Sequence, residues 1–298
     1  MADMGASVLA KLKNKSKKTG KSLQVLLQLF CQEEFLRRLS LSKYTDNLVL
    51  KGGLFIYTLT NFESRATIDI DFLLRNITFN IEDIKTVIDE IIKTETGNEF
   101  IELEARGFDI ITPQRKYKGV SFQIVGKIKN SRTPFNVDIG FGDIIVPKSE
   151  RLIIPVQLTE FMSPEICTYS LESTIAEKLD AIVQRLELTS RMKDFYDIWY
   201  LANYFDFEGR KLQEAIFETL QSRGTIYEAN TFSNITGFDK DRDMQIKWRK
   251  FIRRLRLPEP EFRDVLRLLN CFLSPVWDAI ITEDEWLKSW QAERNSWN

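Results

Sequence analysis

At 298 residues, with 43% hydrophobic and 29% charged side chains and a formal net charge of −1, the chain has the composition of a globular protein of one or two domains. That charge balance excludes a globally basic nucleic-acid binder, and the absence of histidine excludes Ser-His-Asp and Cys-His catalysis and every His-ligated metal. Cys31, Cys167 and Cys271 are too few and too widely spaced for a disulfide framework or a zinc pattern. With no signal-type N-terminus and no run of about 18 apolar residues, a cytoplasmic protein with no membrane partner is expected. Carboxylates and lysines must then carry any chemistry.

Residues 7–21 are polar and hold six lysines, so solvated surface is expected there, with an RNA-contacting arm as the alternative. Ser22 can cap a helix over 23–39, with Leu23, Leu26, Leu27, Phe30 and Leu39 on its apolar side. Residues 48–74 form the stretch the rest serves. Leu48-Val49-Leu50 reads as a strand ending in Lys51-Gly52-Gly53, followed by a short helical pattern. From Thr67 to Phe72 the residues alternate, with Ile68, Ile70 and Phe72 on one strand face and Thr67, Asp69 and Asp71 on the other. Asp is a poor strand former, and like charges side by side repel, so the pair asks for a cation between them. Mg²⁺ takes carboxylate and phosphate oxygens, and a turn without Cβ atoms lets backbone N–H groups approach a phosphate at a helix start. Alone, Gly-Gly is a turn and Asp-x-Asp a solvated strand face; strand, Gly-Gly turn, helix and Asp-x-Asp strand in that order read as a nucleoside-triphosphate site.

Residues 79–93 have helical spacing through Ile81, Ile84, Val87, Ile88 and Ile91, and strands are expected over 100–111, 118–128 and 135–139. The last carries Asp138, which either joins the metal ligands or closes a strand before Gly140. Residues 147–169 look like a connection with one short strand, and from Ser170 onward the pattern is helical, with no strong strand signal.

Ser170 can cap a helix to about 187 in which Lys178 borders the buried stripe of Ile175, Leu179, Ile182 and Leu186. A second helix opens at Arg191-Met192-Lys193-Asp194-Phe195-Tyr196-Asp197, where three-residue spacing puts Asp194 and Asp197 on one face. These acids either serve the helix dipole and nearby Arg and Lys residues, or one is the base for an attacking hydroxyl while Lys178 neutralises a phosphate oxygen. Residues 211–223 read as a further helix. Residues 247–256 set Trp248, Phe251, Ile252 and Leu255 against six basic residues, a core helix with a solvated back or a surface for RNA phosphates. The tryptophans at 277, 286, 290 and 297 are read as packing residues.

The segments VLKGGLFIY, RATIDIDFLL, STIAEKLDAIVQR and RMKDFYDIWYL together resemble the AbiEii nucleotidyltransferases, toxins of type IV toxin–antitoxin pairs within the DNA polymerase β-like superfamily and linked to abortive infection. The resemblance covers roughly residues 20–205. It implies an α+β fold: a mixed sheet flanked by helices over 1–165, and a helical C-terminal domain over 166–298 completing the cleft. It implies Mg²⁺ or Mn²⁺ on Asp69 and Asp71, with Asp138 as a candidate third ligand. It also implies an NTP held by Gly52, Gly53, Thr67 and Lys178, and Asp194 and Asp197 in the Lys-Asp-x-x-Asp motif. The superfamily turn often has Gly-Ser where this chain has Gly52-Gly53, so a hydroxyl contact to phosphate is missing.

The leading expectation is a metal-dependent transfer of NMP from an NTP to an RNA acceptor, tRNA at its 3′ end, blocking translation. A cognate antitoxin encoded nearby is the implied partner, and DNA is not. The alternatives are the same chemistry on a small-molecule or protein hydroxyl, or a non-catalytic RNA-binding module on the same fold.

Overall fold

The computed structural model describes residues 3–77, 80–111, 119–255 and 260–298. Phe79, Lys118 and Arg256, which fall at the ends of expected elements, lie outside the described residues. The chain divides into two compact units. One is Met1–Gly142 with Glu150–Thr168, the other Asp143–Ser149 with Tyr169–Asn298. The division falls three residues after the expected one, and it assigns Asp143–Ser149 to the second unit.

The first unit begins with α1 (Met4–Thr19) and α2 (Leu23–Leu41). The lysine-rich opening is therefore a helix, anchored by the buried Gly5, Val8 and Leu12 at three- and four-residue spacing. Ser22 caps α2 by accepting from the Val25 N–H at 3.3 Å. There follow β1 (Leu48–Lys51), α3 (Gly52–Leu59), β2 (Ile70–Leu74), α4 (Ile81–Lys93), β3 (Ile101–Ile111), β4 (Gly119–Ile128), β5 (Ser131–Phe141), β6 (Glu150–Ile153) and β7 (Glu165–Thr168). These strands form one sheet in the order β3-β4-β5-β2-β1-β7-β6. The sheet is mixed: β2 runs parallel to β5 and β1 parallel to β7, while the other neighbours are antiparallel. Two strands, not one, occupy the connection at 147–169. Leu48, Val49, Leu50, Ile70, Phe72, Val137 and Ile139 are buried along the sheet, and Ile84, Val87, Ile88 and Ile91 make the apolar stripe of α4.

Helix α2 is buried over most of its length, polar residues included. Glu34 receives Arg37 and Arg38 at 3.0 Å each, and also Thr96 Oγ1 and Asn98 Nδ2, so its charge is well satisfied. Glu33 is different. It accepts from the Gln157 N–H at 2.8 Å, but its Oε2 has no hydrogen-bond partner and Arg37 stands 4.0 Å away, already engaged by Glu34. Burial outweighs that distant guanidinium and pushes the Glu33 carboxyl up to about 8 from 4.5. The folded state thus keeps a proton that the unfolded chain releases above pH 4.5, so this contribution to stability is complete at low pH and is lost as pH rises towards 8. Glu33→Gln is expected to flatten the decline in unfolding free energy between pH 5 and 7.5, by up to roughly 1.4 kcal/mol per pH unit. Parallel slopes in urea titrations of the two proteins would rule this out.

The second unit contains α5 (Leu171–Val183), α6 (Met192–Tyr204), β8 (Phe207–Glu208), α7 (Gly209–Arg223), α8 (Thr231–Thr236), α9 (Arg242–Leu255), α10 (Phe262–Thr282), β9 (Ser289–Gln291) and β10 (Ser296–Trp297). Ser170 caps α5 through the Ser173 N–H at 3.1 Å. The helical expectation holds except for β8, β9 and β10, which form a small antiparallel sheet in the order β10-β9-β8. Trp290 is fully buried in it and donates to the Ala202 carbonyl at 2.7 Å. Helix α10 is long and apolar enough by composition to cross a membrane, yet half of that stretch is buried in the protein, with Val265, Leu269, Phe272, Leu273 and Val276 inward.

Asp143–Ser149 joins this unit through specific polar contacts. Arg223 meets Asp143 at 2.8 Å, Glu177 at 2.9 Å and Asp180 at 2.9 Å. Burial pulls the guanidinium pKa down, but the three carboxylates push it up by more, so it stays charged. Ser170 and Ser173 both donate to the Val146 carbonyl, and Ser173 accepts the Val146 N–H at 2.8 Å.

Candidate active site

The first unit gathers carboxylates because of its register. Strand β2 starts at Ile70, three residues later than the alternation predicts, so Thr67 and Asp69 lie in the lead-in segment. Ile68 is 61% exposed instead of facing the core, and its carbonyl accepts from the buried amides of Gln28 at 2.8 Å and Gln32 at 2.9 Å. Those two amides from α2 replace the missing ladder bond and fix the backbone just before Asp69.

Within the sheet Asp71 is paired with Lys51 of β1 on one side and with Asp138 of β5 on the other, and Asp138 in turn pairs with Ser121 of β4. Register partners share a face, so Lys51, Asp71, Asp138 and Ser121 make a row across four strands. Ser121 donates to Asp138 at 2.6 Å, and Asn136, two residues before Asp138, donates to Asp69 Oδ1 at 3.1 Å. Asp69, Asp71 and Asp138 are each half-buried, while Ile70, Phe72, Val137 and Ile139 fill the opposite face.

Gly52 begins α3 with φ of 70°, and a Cβ built there would collide with the Asp71 carboxylate. Glycine is required twice over, by backbone conformation and by the closeness of the carboxylate. Lys51, the N-cap of α3, offers no capping side chain, so the first-turn N–H groups carry the helix's positive end without one. A Cβ on Gly53 would stand 3.1 Å from Thr67 and 3.5 Å from an Arg65 nitrogen. Gly52→Ala is expected to cost about 1–2 kcal/mol of stability from the left-handed backbone and to displace Asp71, lowering any transfer rate by about 10²-fold. A variant within twofold of wild type in both would show that the collision is relieved at no cost.

In the second unit Lys178 is buried between two carboxylates, 2.5 Å from Asp197 Oδ2 and 3.4 Å from Asp194 Oδ1. Arg191 holds the other oxygen of Asp194 at 2.6 Å. Lys178 therefore does not snorkel to open solvent; its ammonium is fixed by α6, and the three-residue spacing of the acids brings both to it. Asp194 and Asp197 side chains are each 2% exposed.

The structure thus places Gly52, Gly53, Thr67, Asp69, Asp71 and Asp138 in one unit and Lys178, Asp194 and Asp197 in the other. Sequence reasoning passed over Lys51, Arg65, Ser121 and Asn136. Lys51 and Arg65 lay inside the segment singled out, as the cations nearest the glycines and the acids; Ser121 and Asn136 depend on strand register, which no local pattern encodes.

The described residues hold no group of three or more Cys, Asp or Glu already gathered as a metal cage. What the first unit offers is an incomplete set of hard oxygen donors beside a capless helix start, which suits Mg²⁺ or Mn²⁺ when substrate phosphates complete the shell.

The model of the family described as nucleotidyl transferase AbiEii toxin, type IV toxin–antitoxin system, matches residues 34–280. A search of curated proteins returned no match. Solved structures similar in fold include MenT4, a nucleotidyltransferase toxin of Mycobacterium tuberculosis H37Rv, at 15% identity and TM-score 0.55 over 91% of this chain and 98% of that one. Two Helicobacter pylori chains are also similar, each at 14% identity. One, described as a candidate nucleotidyltransferase, has a TM-score of 0.52 over 89% of this chain and 100% of its own; the other, JHP933, has 0.50 over 88% and 95%. At such identities the likeness speaks for the mixed sheet and its helices alone, whereas the family match spans both units and takes in the glycine turn and both acidic motifs. The chain accordingly belongs to the AbiEii family of type IV toxin–antitoxin systems and is a nucleotidyltransferase.

Proposed function

We propose that this nucleotidyltransferase moves NMP from an NTP to the 3′ end of an RNA, tRNA in the first instance, with pyrophosphate leaving, and thereby blocks translation. The observation that carries the reading is the row in which Asp71 stands between Lys51 and Asp138 with Gly52 against its carboxylate. Such a row holds negative and positive groups beside a helix start that can receive phosphate.

Asp69, Asp71 and Asp138 would hold Mg²⁺ or Mn²⁺, which when bound spreads the negative charge that develops on the phosphate oxygens. Asn136 and Ser121 keep two of these carboxylates oriented before substrate arrives. Lys51, Arg65 and the first N–H groups of α3 would position the triphosphate. Lys178 supplies a fixed positive charge in this reading, and Asp194 and Asp197, being buried and engaged by Lys178 and Arg191, serve to position it rather than to take the acceptor's proton. Positioning and charge neutralisation suffice for much of the rate in phosphoryl-type transfer.

The type IV class supplies the coarser frame of an NTP substrate and an antitoxin partner. The NTP and tRNA pools would put the reaction in the cytoplasm. Incubation of the purified protein with Mg²⁺, each α-labelled NTP in turn and total tRNA tests the reading, with label on the tRNA 3′ end as the expected result. Label appearing on protein or a small hydroxyl compound while tRNA stays unlabelled would defeat the acceptor assignment.

A further inference from the structure

We propose that the seam between α6 and α9 in the second unit binds the single-stranded 3′ segment of the RNA acceptor, a site that rests on the RNA reading above. Helix α9 carries six Lys or Arg residues and one acid, Asp243, in 14 positions, within a chain of net charge −1. Met244, Trp248 and Ile252 fill its buried side, and Arg249, Lys250, Arg253 and Arg254 are exposed.

Three surface cations on other helices sit beside acids one turn away, Lys85 with Glu82, Lys211 with Glu208 and Arg267 with Asp264. Among the described residues Lys250, Arg253 and Arg254 form no ion pair. Arg249 with Arg253, and Lys250 with Arg254, are instead like charges at four-residue spacing, which weakens a helix that has no anion to bind. An ordinary solvated face would gain from interspersed acids.

The second observation is aromatic. Lys247 Nζ donates to the Thr189 carbonyl just before α6 at 3.0 Å, and one turn later Phe251 meets Tyr196 edge-on at 5.9 Å, so α9 packs against α6 and the segment leading into it. Along α6 the rings continue at four-residue spacing. Tyr196 lies 6.2 Å from Tyr200, and Tyr200 stacks on Tyr204 at 4.5 Å and 23°. Tyr204 is 62% exposed, a ring already stacked on one side and open on the other. Helical spacing places Lys250 and Arg254 on the border next to Phe251, so the unneutralised charges accompany the tyrosine ladder. Tyr196 and Tyr200 are buried, so Tyr204 is the ring of this ladder open to a base, and a row of cations with one exposed ring recognises phosphates and an unpaired base together, which a duplex with hidden base faces does not offer.

The test is fluorescence anisotropy of a short labelled single-stranded RNA and of its blunt duplex with the full-length protein. Wild type is compared with Lys250→Ala/Arg254→Ala, Tyr204→Ala and Tyr204→Phe, all at exposed positions and checked by thermal melting. Wild type is expected to prefer the single strand. The double variant should bind about tenfold more weakly, with a log–log salt slope smaller by about 1.4. Tyr204→Ala should weaken binding by about 5- to 100-fold at unchanged salt slope, and Tyr204→Phe should restore it. Equal affinity and slope in the double variant and Tyr204→Ala, or a duplex bound as well as the single strand, would overturn this assignment while leaving the RNA reading standing. A wild-type protein that binds neither RNA would remove both.

Discussion

Asp71→Asn is expected to lower nucleotide transfer by about 10³-fold or more, measured as the initial rate of label incorporation from the preferred NTP. The amide keeps the shape that fits against Gly52, so the loss reports charge and not a collapsed turn. It removes both the repulsion between Asp71 and Asp138 and the attraction to Lys51, its register partner on the other side, so the variant should melt close to the wild-type temperature. Lower activity with undiminished stability is the signature of a site whose charges are kept for function at some cost to folding. Transfer within tenfold of wild type would remove Asp71 from the site.

Lys178→Met should produce the largest change in stability. It leaves Asp197 without its ammonium partner in a position where the side chain is 2% exposed, while Asp194 keeps Arg191. Breaking a buried pair from one side costs roughly 3–5 kcal/mol, because the remaining carboxylate loses its nearest countercharge away from water. Lys178→Met/Asp197→Asn should recover much of that loss, since it withdraws the carboxylate charge whose ammonium is gone. Under the proposed function it should not recover transfer, because the positive charge is still missing. Urea midpoints and transfer rates of the two variants separate the roles: a double variant no more stable than the single one refutes the pairing, and one with restored transfer refutes the charge role.

Elements long enough to show a period were legible in the sequence. Helices α2, α4 and α5 begin where Ser22, Asn80 and Ser170 accept backbone N–H groups, and in α4 the buried residues repeat at three and four, whereas α2 and α5 bury polar residues between the apolar ones as well. Helix α1 was hidden because only Gly5, Val8 and Leu12 are buried among its many lysines. Strands β8 and β10 are two residues each and β9 three, too short for alternation to register. The first acidic pair was visible, yet its setting was not: Asp69 precedes its strand, and the Ile68 carbonyl beside it is held by Gln28 and Gln32, 40 and 36 positions before Ile68. For Lys178 the partners lie 16 and 19 residues away on another helix, and only tertiary packing could reveal that the lysine and the two acids form one group.

The seven residues Asp143–Ser149 leave the first unit, bond to Arg223, Ser170 and Ser173, and hand the chain back at Glu150. A single cut anywhere between 142 and 169 consequently cannot yield two whole fragments. A recombinant piece starting at 169 would leave Arg223 with Glu177 and Asp180 but without Asp143, and Ser170 and Ser173 without Val146. Grafting the helical half of one toxin of this family onto another would take a two-part exchange, with the short excursion travelling together with the helices it fastens.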